Sequence, residues 1–141
     1  MMISSRGRYA LRVMLDMAKQ HSTQNISVRD LAARQNISRK YLESIMTALC
    51  KANLIESETG KDGGYRLRRA PEEYTAGDVL RAVEGELAPV SCVTPDGKKC
   101  DGACGCIALP FWQGLEQHIN TYVDSYTLQD LLTSQQEKKE N

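Results

Sequence analysis

Four cysteines crowd into one short stretch, at Cys92, Cys100, Cys104 and Cys106, and a fifth, Cys50, stands apart. A thiolate is a ligand for soft metals and a nucleophile toward oxidants. Three chemistries therefore suit the run Cys100-Asp101-Gly102-Ala103-Cys104-Gly105-Cys106. It can wrap an iron–sulfur cluster, because glycine lets the chain bend around the inorganic core. It can supply a four-thiolate zinc site, although paired Cys-x-x-Cys units are absent. It can also form a disulfide on oxidation. An odd cysteine count without a secretory leader is poor support for a fixed disulfide framework. Cys50 lies on an apolar helical stripe and reads as a small core residue.

A second set of residues suits polyanions. Ser38-Arg39-Lys40-Tyr41 opens a helix whose apolar stripe begins only at Leu42. Hydroxyl, guanidinium, ammonium and phenol groups at the start of a helix suit base edges and phosphates. Glu43 falls on the exposed side of that helix. It can accept from a cytosine amine while repelling phosphate, so it would tune specificity rather than add affinity. Further on, Lys61 sits at the tip of a glycine-rich turn that contains Gly63 and Gly64, and Arg66 and Arg68 follow on the return strand. Arg8, in the first helix, joins this candidate DNA-binding set.

These residues need a scaffold to present them, and the pattern of apolar positions predicts one. Ser4 or Ser5 caps a first helix with Ala10, Val13, Met14, Met17 and Ala18 on one face. Ser27 with Asp30 opens a short second helix, Asn36 turns the chain, and Ser38 caps a third along Leu42, Ile45, Met46 and Leu49. Two helices joined by so short a turn make a helix-turn-helix. The period then shifts to strands over 54–58 and 65–69, a hairpin that forms a wing. Thr75 with Asp78 begins a connecting helix that Gly85 ends. No periodicity runs from 86 to 105. A long helix with Pro110 in its first turn and a short one capped by Thr127 complete the order. The expected class is mainly α with a small β-hairpin, a winged helix-turn-helix followed by a long dimerisation helix. Its expected parts are a DNA-binding region over 1–71, a connecting helix over 72–85, a cysteine-rich loop over 86–106, dimerisation and C-terminal helices over 107–134, and a disordered tail over 135–141.

Charge supports this division. The 141 residues carry no formal net charge, yet the chain through Ala70 holds thirteen Lys and Arg against six Asp and Glu. From Pro71 onward there are five against twelve, so a basic half is joined to an acidic one. A basic half is the footprint of a phosphate-binding surface. No apolar run approaches the length of about 20 residues that spans a bilayer, and Met1 to Arg8 lack a leader's apolar core, so a cytoplasmic protein without membrane association is expected. His21 and His118 sit in no catalytic pattern, and no acid, base or nucleophile constellation assembles, so an enzyme is not expected.

Together, Ile3-Ser4-Ser5-Arg6-Gly7-Arg8-Tyr9-Ala10, Ser38-Arg39-Lys40-Tyr41-Leu42-Glu43, Gly63-Gly64-Tyr65, Thr75-Ala76-Gly77-Asp78-Val79 and Val83-Glu84-Gly85 resemble one bacterial family. It is the family of the iron–sulfur regulator IscR, the nitric-oxide sensor NsrR and the cysteine-metabolism regulator CymR. The resemblance implies a homodimeric winged-helix regulator that binds a two-fold operator in double-stranded DNA, with the long helix pairing the subunits. It further implies that Cys92, Cys100 and Cys106 hold an iron–sulfur cluster, with a [2Fe–2S] centre expected first and [4Fe–4S] as the alternative. Three departures stand out. The gap from Cys92 to Cys100 is long, Leu109 replaces a histidine after the third cysteine, and Arg8 stands where some relatives recruit a carboxylate. Cys104 is then the candidate for the missing ligand. Thr59 also replaces a wing arginine, so the preferred operator is expected to differ. The alternative within the family is a cluster-free regulator of CymR type, controlled by an enzyme of sulfur metabolism or by thiol oxidation. A metal-trafficking or redox protein with no DNA role is the alternative outside it.

Overall fold

The computed structural model describes residues 2–20, 25–94 and 106–140. It contains α1 (Ser5–Gln20), α2 (Val28–Gln35), α3 (Arg39–Lys51), β1 (Ile55–Glu58), β2 (Gly64–Leu67), α4 (Ala76–Glu84), α5 (Leu109–Asp124) and α6 (Leu128–Glu140), with 3₁₀ turns at Pro71–Glu73 and Ser91–Val93. This is the mainly helical winged arrangement that the sequence predicts.

Local chemistry accounts for the helix ends. The Gly7 amide donates to Ser4 Oγ at 3.3 Å, so the first of the two candidate serines caps α1. Ser27 accepts from the Asp30 amide at 3.1 Å, and Ser38 from the Tyr41 amide at 3.1 Å. Each satisfies a donor that the first helical turn leaves unpaired. Asn36 closes α2 in the left-handed region at φ 55°. Thr75 and Asp78 form a reciprocal capping box on α4, with both bonds at 3.0 Å. The apolar stripes of α1, α2 and α3 meet in one cluster that also takes in Ile55, Tyr74, Val79 and Leu128.

The hairpin is anchored at both ends. Its register pairs Ile55 with Leu67, Glu56 with Arg66, Ser57 with Tyr65 and Glu58 with Gly64. Beyond that ladder, Tyr65 exchanges backbone hydrogen bonds of 2.8 and 2.9 Å with Ile26, which fastens the wing to the residues before α2. A Cβ at Gly64 would lie 2.3 Å from the Ile26 carbonyl oxygen, and Gly64 has φ 149°, so only glycine fits. At the other end stands Tyr74, which is fully buried. Its hydroxyl donates to the Leu54 carbonyl at 2.6 Å and accepts from the Arg68 and Arg69 amides at 2.9 and 3.0 Å.

Three boundaries differ from expectation. α5 begins at Leu109, two residues later than the expected boundary at 107, so Cys106 lies in the turn before it and its carbonyl accepts from the Leu109 amide at 3.3 Å. A 3₁₀ turn at Ser91–Val93 interrupts the segment expected to be loop. α6 continues to Glu140, over residues expected to form a tail. Gln, Glu and Lys lose little rotamer freedom in a helix, and α6 is already started by the Thr127–Asp130 cap, so the polar segment propagates.

Replacing Tyr74 by Phe would keep the packing but leave one buried carbonyl and two amides without their partner. The expected cost is about 2–3 kcal/mol, read from denaturant unfolding at an unchanged m value.

Candidate nucleic-acid interface and thiol site

The first turn of α3 is exposed at Ser38, Arg39 and Lys40 and carries no acidic residue. Helix N-termini are electropositive and favour anions. Two cations on that turn therefore repel the dipole unless a polyanion faces them, which is the arrangement a recognition helix presents to phosphate. Glu43 is exposed one turn on. Next comes exposed Thr47, whose hydroxyl donates to the Glu43 carbonyl at 2.8 Å. Tyr41 departs from the expectation that it projects with its neighbours. It is half-buried, with its ring edge-on to Tyr9 at 5.9 Å between centroids, because the phenol's apolar area packs better on α1 than in water. Arg6, which the sequence reading did not single out, donates from Nη2 to the Ser44 carbonyl at 3.1 Å and so braces α3 from α1. Arg8 is exposed on α1.

In the wing, Lys61 is exposed at the tip and has no carboxylate within ion-pair distance among the described residues. The amide of Gly63 donates to Gly60 at 3.1 Å and keeps that tip tight. Arg66 and Arg68 are not free. Arg66 lies 2.9 Å from Glu56 and 3.4 Å from Glu58, and Arg68 lies 3.4 Å from Glu56.

Of the thiols, Cys92 is half-buried in the 3₁₀ turn that packs against α5, and Cys106 is exposed before that helix. Cys100 and Cys104 lie outside the described residues. Among the described residues no group of three or more His, Cys, Asp or Glu side chains could hold a metal. The donor chemistry nevertheless fits a soft metal centre. Two reachable sulfurs bound the segment that carries two more, with no described carboxylate set beside them to prefer a hard cation. Cys50 is half-buried against the core, and burial pushes its thiol pKa up while a hydrogen bond with Ser57 pulls the other way. That environment suits a packing residue rather than a ligand.

The joint between α4 and α5 has no local signature in the sequence. Asn120 on α5 donates to the Leu87 carbonyl at 3.1 Å and accepts from Arg81 at 2.7 Å. Arg81 on α4 also pairs with Asp124 at 2.7 Å, across 43 positions that no local spacing relates. Gly77 lets this joint close, since a Cβ there would meet the Asp124 carboxylate at 2.1 Å.

Comparison with known proteins agrees with this architecture. The family described as Rrf2, iron-dependent transcriptional regulator, matches residues 3–134. The chain belongs to the Rrf2 family. One Rrf2-family relative, the transcriptional regulator IscR of Aliivibrio salmonicida, is 35% identical over 132 residues, which cover 94% of this chain and 77% of the relative. The solved structure of CymR, the global cysteine regulator of B. subtilis, has a TM-score of 0.76 at 34% identity and covers 95% of this chain and 98% of its own. That of T. potens IscR has a TM-score of 0.77 at 31% identity and covers 98% and 90%. The chain is thus a transcription regulator of the Rrf2 family, whose description is iron-dependent while one solved relative is named a global cysteine regulator. No described helix is long and apolar enough to cross a membrane.

The Arg81 hydrogen bond and charge hold the Asp124 carboxyl below the usual aspartate range. With the folded value below the unfolded one, the stabilisation is complete above pH about 4 and is lost as acid carries the pH down through the folded value. Thermal melts from pH 6 to pH 3 should therefore show a steeper acid loss in the native chain than in Asp124→Asn.

Proposed function

We propose that this protein is a homodimeric, sequence-specific DNA-binding regulator whose operator affinity is set by an iron–sulfur cluster on Cys92, Cys100 and Cys106, with Cys104 as the candidate fourth ligand. The observation that carries the proposal is the placement of Cys92 and Cys106. One lies in the turn packed on α5 and the other immediately before it, so whatever ligates both thiols acts on the start of that helix. A cluster bound there supplies a centre whose charge and integrity follow iron supply and redox state, and [2Fe–2S] is the form favoured.

The chain's own residues do the rest. α5 has no buried residue and exposes Phe111, Leu115 and Tyr122, so an apolar face runs along it, with Tyr126 exposed just beyond its end. A second α5 is the partner we assign to that face, which gives the two-fold symmetry that an inverted-repeat operator requires. Arg81, Asn120 and Asp124 transmit any shift of α5 to α4, which packs on α1 and α3. The separation of the two recognition helices then changes, and with it the fit of Ser38, Arg39, Lys40 and Glu43 to successive major grooves. Lys61 and the glycines of the wing reach the flanking backbone.

A second reading has one observation in its favour. Leu109, the first residue of α5, offers no ligand where a histidine is expected. In that reading the protein is cluster-free, like the cysteine regulator it resembles in fold, and responds to a sulfur-metabolism enzyme or to thiol oxidation.

Protein purified without oxygen should be brown, with iron and acid-labile sulfide in stoichiometric amounts. Changing Cys92, Cys100 and Cys106 to Ala should abolish the colour and alter operator affinity. A chain that stays colourless after reconstitution with iron and sulfide leaves the cluster-free reading. For the dimer, Phe111→Glu with Tyr122→Glu should shift the sedimenting species from dimer to monomer at micromolar concentration.

A further inference from the structure

The wing is expected to approach DNA, yet Arg66 on β2 and Arg68 just after it are already occupied. Glu56 stands opposite Arg66 in the hairpin register. Its carboxylate takes Nε of Arg66 at 3.0 Å and Nη2 at 2.9 Å, and Nε of Arg68 at 3.4 Å. Glu58 takes Nη1 of Arg66 at 3.4 Å and is itself fixed by the Asn25 side-chain amide. Arg68 is held from its other side by Asn53 at 3.3 Å. Along the hairpin from Ile55 to Arg68, Glu56, Glu58 and Asp62 balance Lys61, Arg66 and Arg68, so its formal charge is zero. The α3 turn with Arg39 and Lys40 carries no such internal counter-charge.

We infer that Glu56, assisted by Glu58, is a specificity-determining residue that occupies Arg66 and Arg68 and so suppresses binding of the wing to DNA of arbitrary sequence. This rests on the DNA-binding reading above. A carboxylate oxygen offers a guanidinium much the same geometry as a phosphate oxygen, so the two compete for the same donors. The pairs are about two-fifths exposed on both sides, so the competition takes place in water and costs little to reverse. Non-specific affinity comes almost wholly from phosphate neutralisation and counterion release. Each wing arginine kept on Glu56 subtracts one such contact. At a cognate operator, α3 docked in the major groove holds the wing against the backbone long enough for the exchange. On other DNA only the basic α3 turn, Lys61 and neighbouring cations remain.

The test is a salt titration of binding by the full-length protein to a random-sequence duplex, by fluorescence anisotropy, for the native chain, Glu56→Gln, Arg66→Gln/Arg68→Gln, and the triple variant. Glutamine keeps an acceptor for the hairpin but removes the charge. Glu56→Gln should bind more tightly, and its slope of log affinity against log salt should steepen by about 0.9 for each arginine released. Its advantage should then shrink by about threefold per arginine between 50 mM and 200 mM salt. In the background lacking both arginines the same change should do nothing. An unchanged slope in Glu56→Gln, with the native chain bound normally, would overturn the inference and leave the carboxylate a purely structural cross-strand partner. The same follows from a weaker affinity that tracks a loss of thermal stability. Absence of native binding even at low salt would overturn the DNA-binding reading itself, and this inference with it.

Discussion

The hydroxyl of Tyr74 satisfies three backbone groups that no element of secondary structure reaches. It closes the carbonyl of Leu54, where α3 gives way to β1, and the amides of Arg68 and Arg69, where β2 leaves the wing. Each would otherwise be a buried or half-buried polar group without a partner. The same residue's carbonyl accepts from the Leu128 amide at 3.0 Å and so ties in α6, while Arg69 stacks over its ring at 4.7 Å. One buried phenol thus sets how the wing stands relative to the end of α3 and relative to the C-terminal helices. The rest of the fold depends on that junction, because a winged helix can meet two parts of a duplex only if helix and hairpin keep a fixed separation.

From this junction the structure grades from dry to wet. The core of α1, α2, α3 and α4 is apolar and contains no buried polar or charged residue. The joint between α4 and α5 is made instead of a guanidinium, a carboxylate and an amide, all partly in water. At its near end, Glu84 on α4 accepts from the Ser4 amide at 3.1 Å, over a Gly7 that leaves room for it. Polar joints of this kind are directional and can exchange partners, whereas close-packed cores resist small shifts. Cys92 lies in the turn that packs on α5 and Cys106 just before that helix, whereas the candidate DNA-binding side chains of α3 stand on the apolar core. The part suited to move is thus separate from the part suited to hold still.

Much of this was legible in the sequence wherever the cause is local. Ser27, Asn36, Ser38, Thr75 and Thr127 act within three or four positions of themselves, and each marks the helix end it was read to mark. The apolar stripe of α3 is equally local, and so is the glycine turn of the wing. What escaped depends on distance along the chain. Tyr74 reads as one more aromatic until β2 and α3 are folded beside it. Nothing near Arg66 announces Glu56 as its partner until the hairpin register is known. The polar neighbours of Tyr41 point to a projecting side chain, but its placement is decided by Tyr9, on another helix. The polarity of the tail suggests an unstructured segment, although a started helix needs propensity rather than hydrophobicity to continue.

α5 has sixteen residues and buries none of them fully against its own chain. A helix attached in this way has little internal restoring force, and its orientation follows whatever covers its exposed side. The chain therefore combines two mechanical elements, a body that keeps its shape through its own interior and an arm whose stiffness must come from outside. In the dimer proposed above, concentration is therefore a mechanical variable as well as a chemical one: dilution would soften the arm before it disturbs the body, and the two recognition surfaces would lose their mutual alignment while each remains individually folded.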